Sequence, residues 1–132
     1  MIMIQERYCS FEVNELLREK GFDEPCRSYF INDLGDYRRC TVEITNRDCS
    51  SEQILRPTHQ MAMDWLREVH NILIWFSPVI PTPKPKDETV FYWEWEAKKK
   101  SHSHPHVQSH IKYKTYEEAV ESALKYSLEN LI

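Results

Sequence analysis

Apolar and polar positions alternate along this chain in two distinct periods, and the places where the period changes mark its elements. After Ser10, a residue suited to accept the free amides of a helix start, Val13, Leu16, Leu17 and Lys20 recur at helical spacing. The pattern stops at Gly21, which predicts a left-handed helix end with Phe22 folding back over the last turn. From Arg27 to Thr45 the period becomes two. Tyr29, Phe30 and Ile31 lead into Asp33-Leu34-Gly35-Asp36, and Cys40, Val42 and Ile44 then alternate with Thr41, Glu43 and Thr45, which predicts a half-buried hairpin. Asn46 to Leu55 has no period and reads as a surface loop.

A second helix is expected after Pro57-Thr58, with Met61, Ala62, Trp65, Leu66 and Val69 on one face and His70 and Asn71 closing it. A histidine in the last turn suits the negative end of the helix dipole, so His70 needs no catalytic explanation. Ile72 to Phe76 is apolar throughout, which predicts a central strand covered on both faces. A Pro-rich loop follows at residues 77–88, where Pro78, Pro81, Pro83 and Pro85 remove backbone donors. Phe91, Trp93, Trp95 and Ala97 then alternate with Tyr92, Glu94 and Glu96, the clearest strand in the chain. A His-rich loop is expected at 98–110, a short strand at Ile111 to Tyr113, and a final helix opened by a Thr115 to Glu118 capping box. Its face runs Val120, Ala123, Leu124, Ser127, Leu128 and Leu131.

These elements predict a single α+β domain over residues 1–132, with an antiparallel sheet of four to five strands packed against three helices in the order α-β-β-α-β-β-(β)-α. A two-layer arrangement of that kind leaves one sheet face needing another helix or a partner chain. The length of 132 residues and a composition of 41% hydrophobic and 29% charged residues suit one self-sufficient core.

The net charge of −4 argues against general affinity for nucleic acid. Met1-Ile2-Met3-Ile4-Gln5-Glu6-Arg7 lacks the basic start and long apolar run of a secretory leader, and no stretch approaches the ~18 apolar residues of a membrane span. The expectation is a soluble, cytoplasmic protein. Cys9, Cys26, Cys40 and Cys49 form no Cys-x-x-Cys pair, which predicts reduced, structural thiols.

Three places invite a chemical reading. His102, His104, His106 and His110 would put three imidazoles on one side of an extended chain, a metal-binding pattern, but Pro105 interrupts it and no carboxylate or cysteine lies close by, so a solvated loop is the favoured reading. Lys98, Lys99 and Lys100 follow an aromatic strand that could stack bases, but Glu94 and Glu96 would repel phosphates, and Trp93 and Trp95 fit a core face. Leu73, Trp75 and Met63 are an apolar surplus that loops or an interface could bury, homodimerisation being the simplest partnership. No nucleophile elbow is present, and the two glycines, Gly21 and Gly35, leave no Gly-rich phosphate loop. The residues thus predict no enzyme and no cofactor.

Three segments resemble a group of small uncharacterised proteins associated with prophages and mobile elements of gut Bacteroidales: Phe11-Glu12-Val13 through Glu19-Lys20-Gly21-Phe22, Pro57-Thr58-His59 through Val69-His70-Asn71, and Lys114-Thr115-Tyr116 through Leu131-Ile132. The resemblance implies a bacterial or phage origin and an accessory role, with no activity, cofactor or catalytic residue to carry over. Together these observations predict a non-enzymatic accessory or interaction protein acting through a protein partner. Nucleic-acid binding through Lys98 to Lys100 and metal binding through His102 to His110 stand as alternatives.

Overall fold

The first helix, α1 (Phe11–Glu19), begins and ends where its side chains can satisfy orphan backbone groups in the computed structural model, which describes residues 5–132. Met1 to Ile4, part of the start considered above, lie outside the described residues. Ser10 Oγ accepts the Val13 amide at 3.3 Å. At the other end Gly21 takes φ +94°, its amide donates to Arg18 O, and the Phe22 amide reaches back to Leu17 O at 2.9 Å. That pair of bonds is a Schellman closure, and it turns Phe22 into the interior, edge-on to Trp65 at 5.4 Å.

The hairpin joins β1 (Cys26–Phe30) to β2 (Tyr37–Ile44). Asn32 Oδ1 accepts the amides of Leu34 and Asp36 across the turn, and Gly35 supplies the left-handed residue at φ +92°. A short strand, β3 (Ile54–Leu55), pairs with the other side of β1 and gives a three-stranded sheet of order β2-β1-β3. The stretch 46–55, expected to be loop throughout, therefore contains a strand as well as a 3-10 turn at Asn46–Asp48. The expected burial of Cys40, Val42 and Ile44 is corrected too. Between the pairs Cys26↔Ile44 and Ser28↔Arg39 the register slips, so that Arg27 faces the whole of residues 40–43. This bulge breaks the two-residue alternation on an edge strand, and Val42 is left 66% exposed.

In α2 (His59–His70) Thr58 Oγ1 accepts the Met61 amide at 3.1 Å, and Asn71 makes the left-handed exit at φ +57°. Ala62, Trp65 and Leu66 are buried as expected, whereas Val69 is exposed. The chain divides into two compact units, one ending at Trp65 and the other beginning at Leu66, within α2.

In the second unit β4 (Ile72–Val79) and β5 (Tyr92–Lys99) pair antiparallel from Ile72↔Lys99 to Val79↔Tyr92, and β6 (Val107–Gln108) adds to the far side of β5. The single four- or five-stranded sheet is thus replaced by two sheets of three strands each, while the α+β class and the three helices stand. The strand order differs accordingly, since β3 precedes α2. β4 is an edge strand, not the central one. Its unbroken apolar run does not mark two covered faces: Ile74 and Phe76 pack against Trp95, Ala97 and Ala123, but Leu73 and Trp75 remain exposed. β6 lies inside the stretch expected to be His-rich loop, and the expected strand at Ile111 to Tyr113 reduces to one bridge between Tyr113 and Trp93.

The last helix, α3 (Tyr116–Asn130), starts where expected, with Thr115 Oγ1 accepting the Glu118 amide at 3.1 Å. Ala119, Val120, Ala123, Leu124, Ser127 and Leu128 are buried. Ala123 meets Ala97 and Trp95 of β5, and small residues on both sides let helix and sheet approach closely. Burying Val120, Leu124 and Leu128 contributes about 1.5–3 kcal/mol each. No helix of the described residues is long and apolar enough to cross a membrane.

Candidate functional site

Because side chains alternate across a strand, the residues between those facing α3 point to the opposite side of the second sheet. The β4–β5 register then sets Leu73 beside Lys98, Trp75 beside Glu96 and Ser77 beside Glu94 on one face. Leu73 is 37% and Trp75 39% exposed there. The Trp75 indole N–H donates to Glu96 Oε2, and Glu96 Oε1 lies 3.5 Å from Nε2 of His106, which immediately precedes β6. The Trp75 and His106 rings are 6.4 Å apart with 32° between their planes. Glu96 thus fixes a large apolar side chain in one orientation on an open face. The Glu96 and His106 side chains are 25% and 54% exposed, so solvent screens their pairing and its value is about 1 kcal/mol or less. What the arrangement offers is a preset tryptophan beside a leucine, suited to contact rather than to chemistry.

The three places singled out in the sequence partly converge here. Leu73 and Trp75 share this face with Lys98 and His106, whereas Met63 is half-buried in the first half of α2. Lys98 is turned inward upon its own chain: its Nζ donates to the carbonyls of Ser101 at 3.0 Å and His104 at 2.5 Å. Lys99 is half-buried and Lys100 exposed. The Lys98 clamp closes a tight turn, helped by the Ser101 amide on Lys99 O and the His104 amide on Ser101 O. The extended run that would align His102, His104 and His106 is therefore absent. His102 and His104 are exposed within the turn, His106 goes to Glu96, and His110 lies beyond β6. Among the described residues no three His, Cys, Asp or Glu side chains are placed to hold a metal ion.

On the α3 side, a cavity of about 360 Å³ is lined by Trp95, His110, Tyr113, Ser122, Tyr126 and Glu129 among others. Ser122 Oγ accepts the Trp95 indole N–H at 3.0 Å and lies 2.6 Å from the Tyr113 hydroxyl, while the Trp95 and Tyr126 rings sit 5.3 Å apart. The Ser122 hydroxyl is thus engaged by two aromatic polar tips. These two bonds tie β5, the Tyr113 segment and α3 together along one wall of the cavity.

Two thiols of the first unit, Cys26 and Cys49, are held in their protonated, weakly nucleophilic form. Burial, and then the neighbouring Cys49, push the Cys26 thiol up to about 12. Burial and Asp48 also raise the Cys49 thiol. Both stay protonated at neutral pH. His70 is held below the ordinary imidazole range by burial and then by Lys99, the direction opposite to the one a helix C-terminus favours. One arrangement the sequence reading missed is the Arg56 guanidinium, 4.0 Å from the Tyr8 ring centroid and 3.7 Å from that of Tyr37, with Nη1 donating to Ser28 Oγ at 3.2 Å. It pins the segment before α2 to the first sheet. Glu96 was missed as well, read as one of two polar-face residues, because its partner Trp75 is fixed only by cross-strand register.

Comparison with protein-family models, with curated proteins and with solved structures finds no match to this chain.

Proposed function

We propose that this chain is a non-enzymatic accessory protein that binds a protein partner through the β4 side of its second sheet. The observation that carries the reading is the pair Leu73 and Trp75, exposed together on an uncharged edge strand, with Trp75 held in place by Glu96. Tryptophan anchors of this kind dominate binding energy when a partner removes them from water. Within the second unit, the commitment of Ser122 to Trp95 and Tyr113 supports contact over catalysis. The likeness of the α1, α2 and α3 segments to mobile-element proteins supports an accessory role in such an element.

The test is a photo-reactive amino acid placed at position 75 and, as a control, at Leu34, which is exposed on the turn of the first sheet. In cells producing the full chain, position 75 is expected to give a discrete protein adduct and position 34 none. Equal, diffuse labelling from both positions overturns the reading.

A further inference from the structure

The first sheet carries an arginine that its surroundings order without neutralising. Ser28 of β1 pairs with Arg39 of β2, and on its other side the Arg56 amide donates to Ser28 O at 2.9 Å, in continuation of the register that sets Phe30 opposite Ile54. Residues opposite one another in a sheet project from the same face, so Arg39, Ser28 and Arg56 form one row across it. Two residues along, Tyr37 pairs with Phe30 on that face. The bridge between Tyr8 and Thr58 brings Tyr8 alongside. Arg56 reaches across this surface. Its guanidinium lies over the Tyr37 ring at 3.7 Å and over the Tyr8 ring at 4.0 Å, with the Phe30 ring 5.6 Å away, and Nη1 donates to Ser28 Oγ at 3.2 Å.

A guanidinium has five N–H donors in one plane, and Ser28 takes one of those of Arg56. Aromatic rings meet the flat side of the group, and among the described residues no other side chain or carbonyl accepts from its remaining N–H groups. Neither Arg56 nor Arg39 forms an ion pair with a described residue. Glu6 accepts the Tyr8 hydroxyl at 3.3 Å and pairs with neither arginine. Burial holds the Arg56 guanidinium below its ordinary range and Arg39 pushes the same way, while Tyr37, Tyr8 and Cys9 oppose them; no carboxylate stands among these groups. An arginine stays charged all the same. Two guanidiniums on one face, the inner one half-buried and already ordered, suit a doubly charged anion.

We propose that Arg56 and Arg39 bind the phosphoryl group of a phosphate monoester on this face of the first sheet. Such a group carries about −1.5 to −2 charge at neutral pH, which two guanidiniums match. Its three terminal oxygens can accept the in-plane N–H groups that Arg56 leaves unused, in the paired geometry a guanidinium favours. Binding costs the side chain little rotamer freedom, because Tyr8, Tyr37 and Ser28 already hold it. A carboxylate carries one charge and matches half of this complement. The chain's net charge of −4 disfavours a polyanion such as nucleic acid, whose affinity grows with the number of phosphates neutralised. The site lies in the first unit and is independent of the Leu73 and Trp75 surface.

The experiment is an NMR titration of the full chain at neutral pH and constant ionic strength, with inorganic phosphate, phenyl phosphate and acetate as probes. It reads the arginine Nε–H signals and the amides of Ser28 and Arg39. Both phosphate probes should give saturable shifts at millimolar concentration or below, and acetate should bind at least about tenfold more weakly. Arg39→Gln, at an exposed position, removes one charge while sparing the contacts of Arg56 with Tyr8 and Tyr37, and should weaken phenyl phosphate binding at least about tenfold. Arg56→Lys keeps a cation but loses the planar fork and should do the same. If that variant fails to fold, Arg39→Gln carries the test, together with Glu6→Gln, which removes a negative charge beside Tyr8 and should tighten binding. Absence of saturable shifts at millimolar phenyl phosphate, acetate bound as tightly as the phosphates, or unchanged affinity in Arg39→Gln overturns the inference. So does a single-stranded oligonucleotide without a terminal phosphate that binds these residues more tightly than phenyl phosphate, since the site would then read phosphodiesters.

Discussion

Ser122 is the best place to test whether the second unit is held as described, because one hydroxyl serves two aromatic residues. Replacing it with alanine leaves the Trp95 indole N–H, on a side chain 4% exposed, without its acceptor. A buried donor left unsatisfied costs about 1–3 kcal/mol. Tyr113 is half-buried, so its hydroxyl recovers a bond from water and that loss is smaller, about 0.5–1 kcal/mol. Together these give about 1.5–4 kcal/mol for Ser122→Ala, while Tyr113→Phe, which leaves the Trp95 bond intact, should cost ~1 kcal/mol or less. Combining the two substitutions should cost little more than Ser122→Ala alone, because the Tyr113 bond is already gone. The chain comprises two compact units, so the appropriate readout is local: exchange of the β5 amides of Trp95 and Ala97. A loss of about 1.5–4 kcal/mol corresponds to exchange faster by about 10- to 1,000-fold. A change under about threefold in Ser122→Ala, or additive effects in the double variant, would show that the three groups do not form a linked network.

Three further outcomes follow from the packing and the thiols. Leu124→Ala should cost about 2–5 kcal/mol and Leu124→Asp should abolish folding, since this side chain is wholly inaccessible on α3; a folded Asp variant by circular dichroism would mean that the helix presents a binding face. Cys26, whose thiol is pushed up to about 12 from an ordinary 9.0, should react with iodoacetamide at pH 9 at least about a hundredfold more slowly in the folded chain than in the chain unfolded in urea, as read by mass spectrometry of the labelled peptide. The same shift has a stability consequence: the fold favours the protonated thiol, so its contribution is complete below pH 9 and is lost as pH rises from about 9 towards 12, which alkaline denaturation of a Cys26→Ser variant should blunt. Gly21→Ala forces a side chain into φ +94° and should lower stability by about 1 kcal/mol in urea melts, through strain alone, because no atom crowds that position.

The helices were legible because what starts and stops them is local. Ser10, Thr58 and Thr115 each accept an amide three residues ahead, and Gly21 and Asn71 each take the left-handed exit, all within a turn of the chain. Strand placement was not local in that sense. An apolar run such as Ile72 to Phe76 has the same appearance whether both sides of the strand are paired or one is, and a two-residue strand like Ile54–Leu55 exists only because β1 offers its free edge. The histidine cluster failed for a related reason: alignment of His102, His104 and His106 required extended chain, and Lys98 closed a turn there by capturing carbonyls three and six residues away.

The same distinction explains why the candidate surface was half visible. Leu73 and Trp75 stood out as apolar surplus, but the reading that made them surplus, a strand covered on both faces, was mistaken. Their exposure has a different origin: β4 lies at the edge, α3 covers the face that Ile74 and Phe76 use, and the odd residues fall on the side that α3 leaves open. Glu96 then gives the exposed tryptophan an orientation, through a hydrogen bond that the order of residues alone could not reveal. Packing on α3 accounts for the apolar character of Ile74 and Phe76, but not for that of Leu73 and Trp75, which the core does not reach. Substituting lysine for Trp75 tests that separation: it adds a charge where the core does not reach, and it should leave the α3 packing intact while weakening contact with a partner on this face.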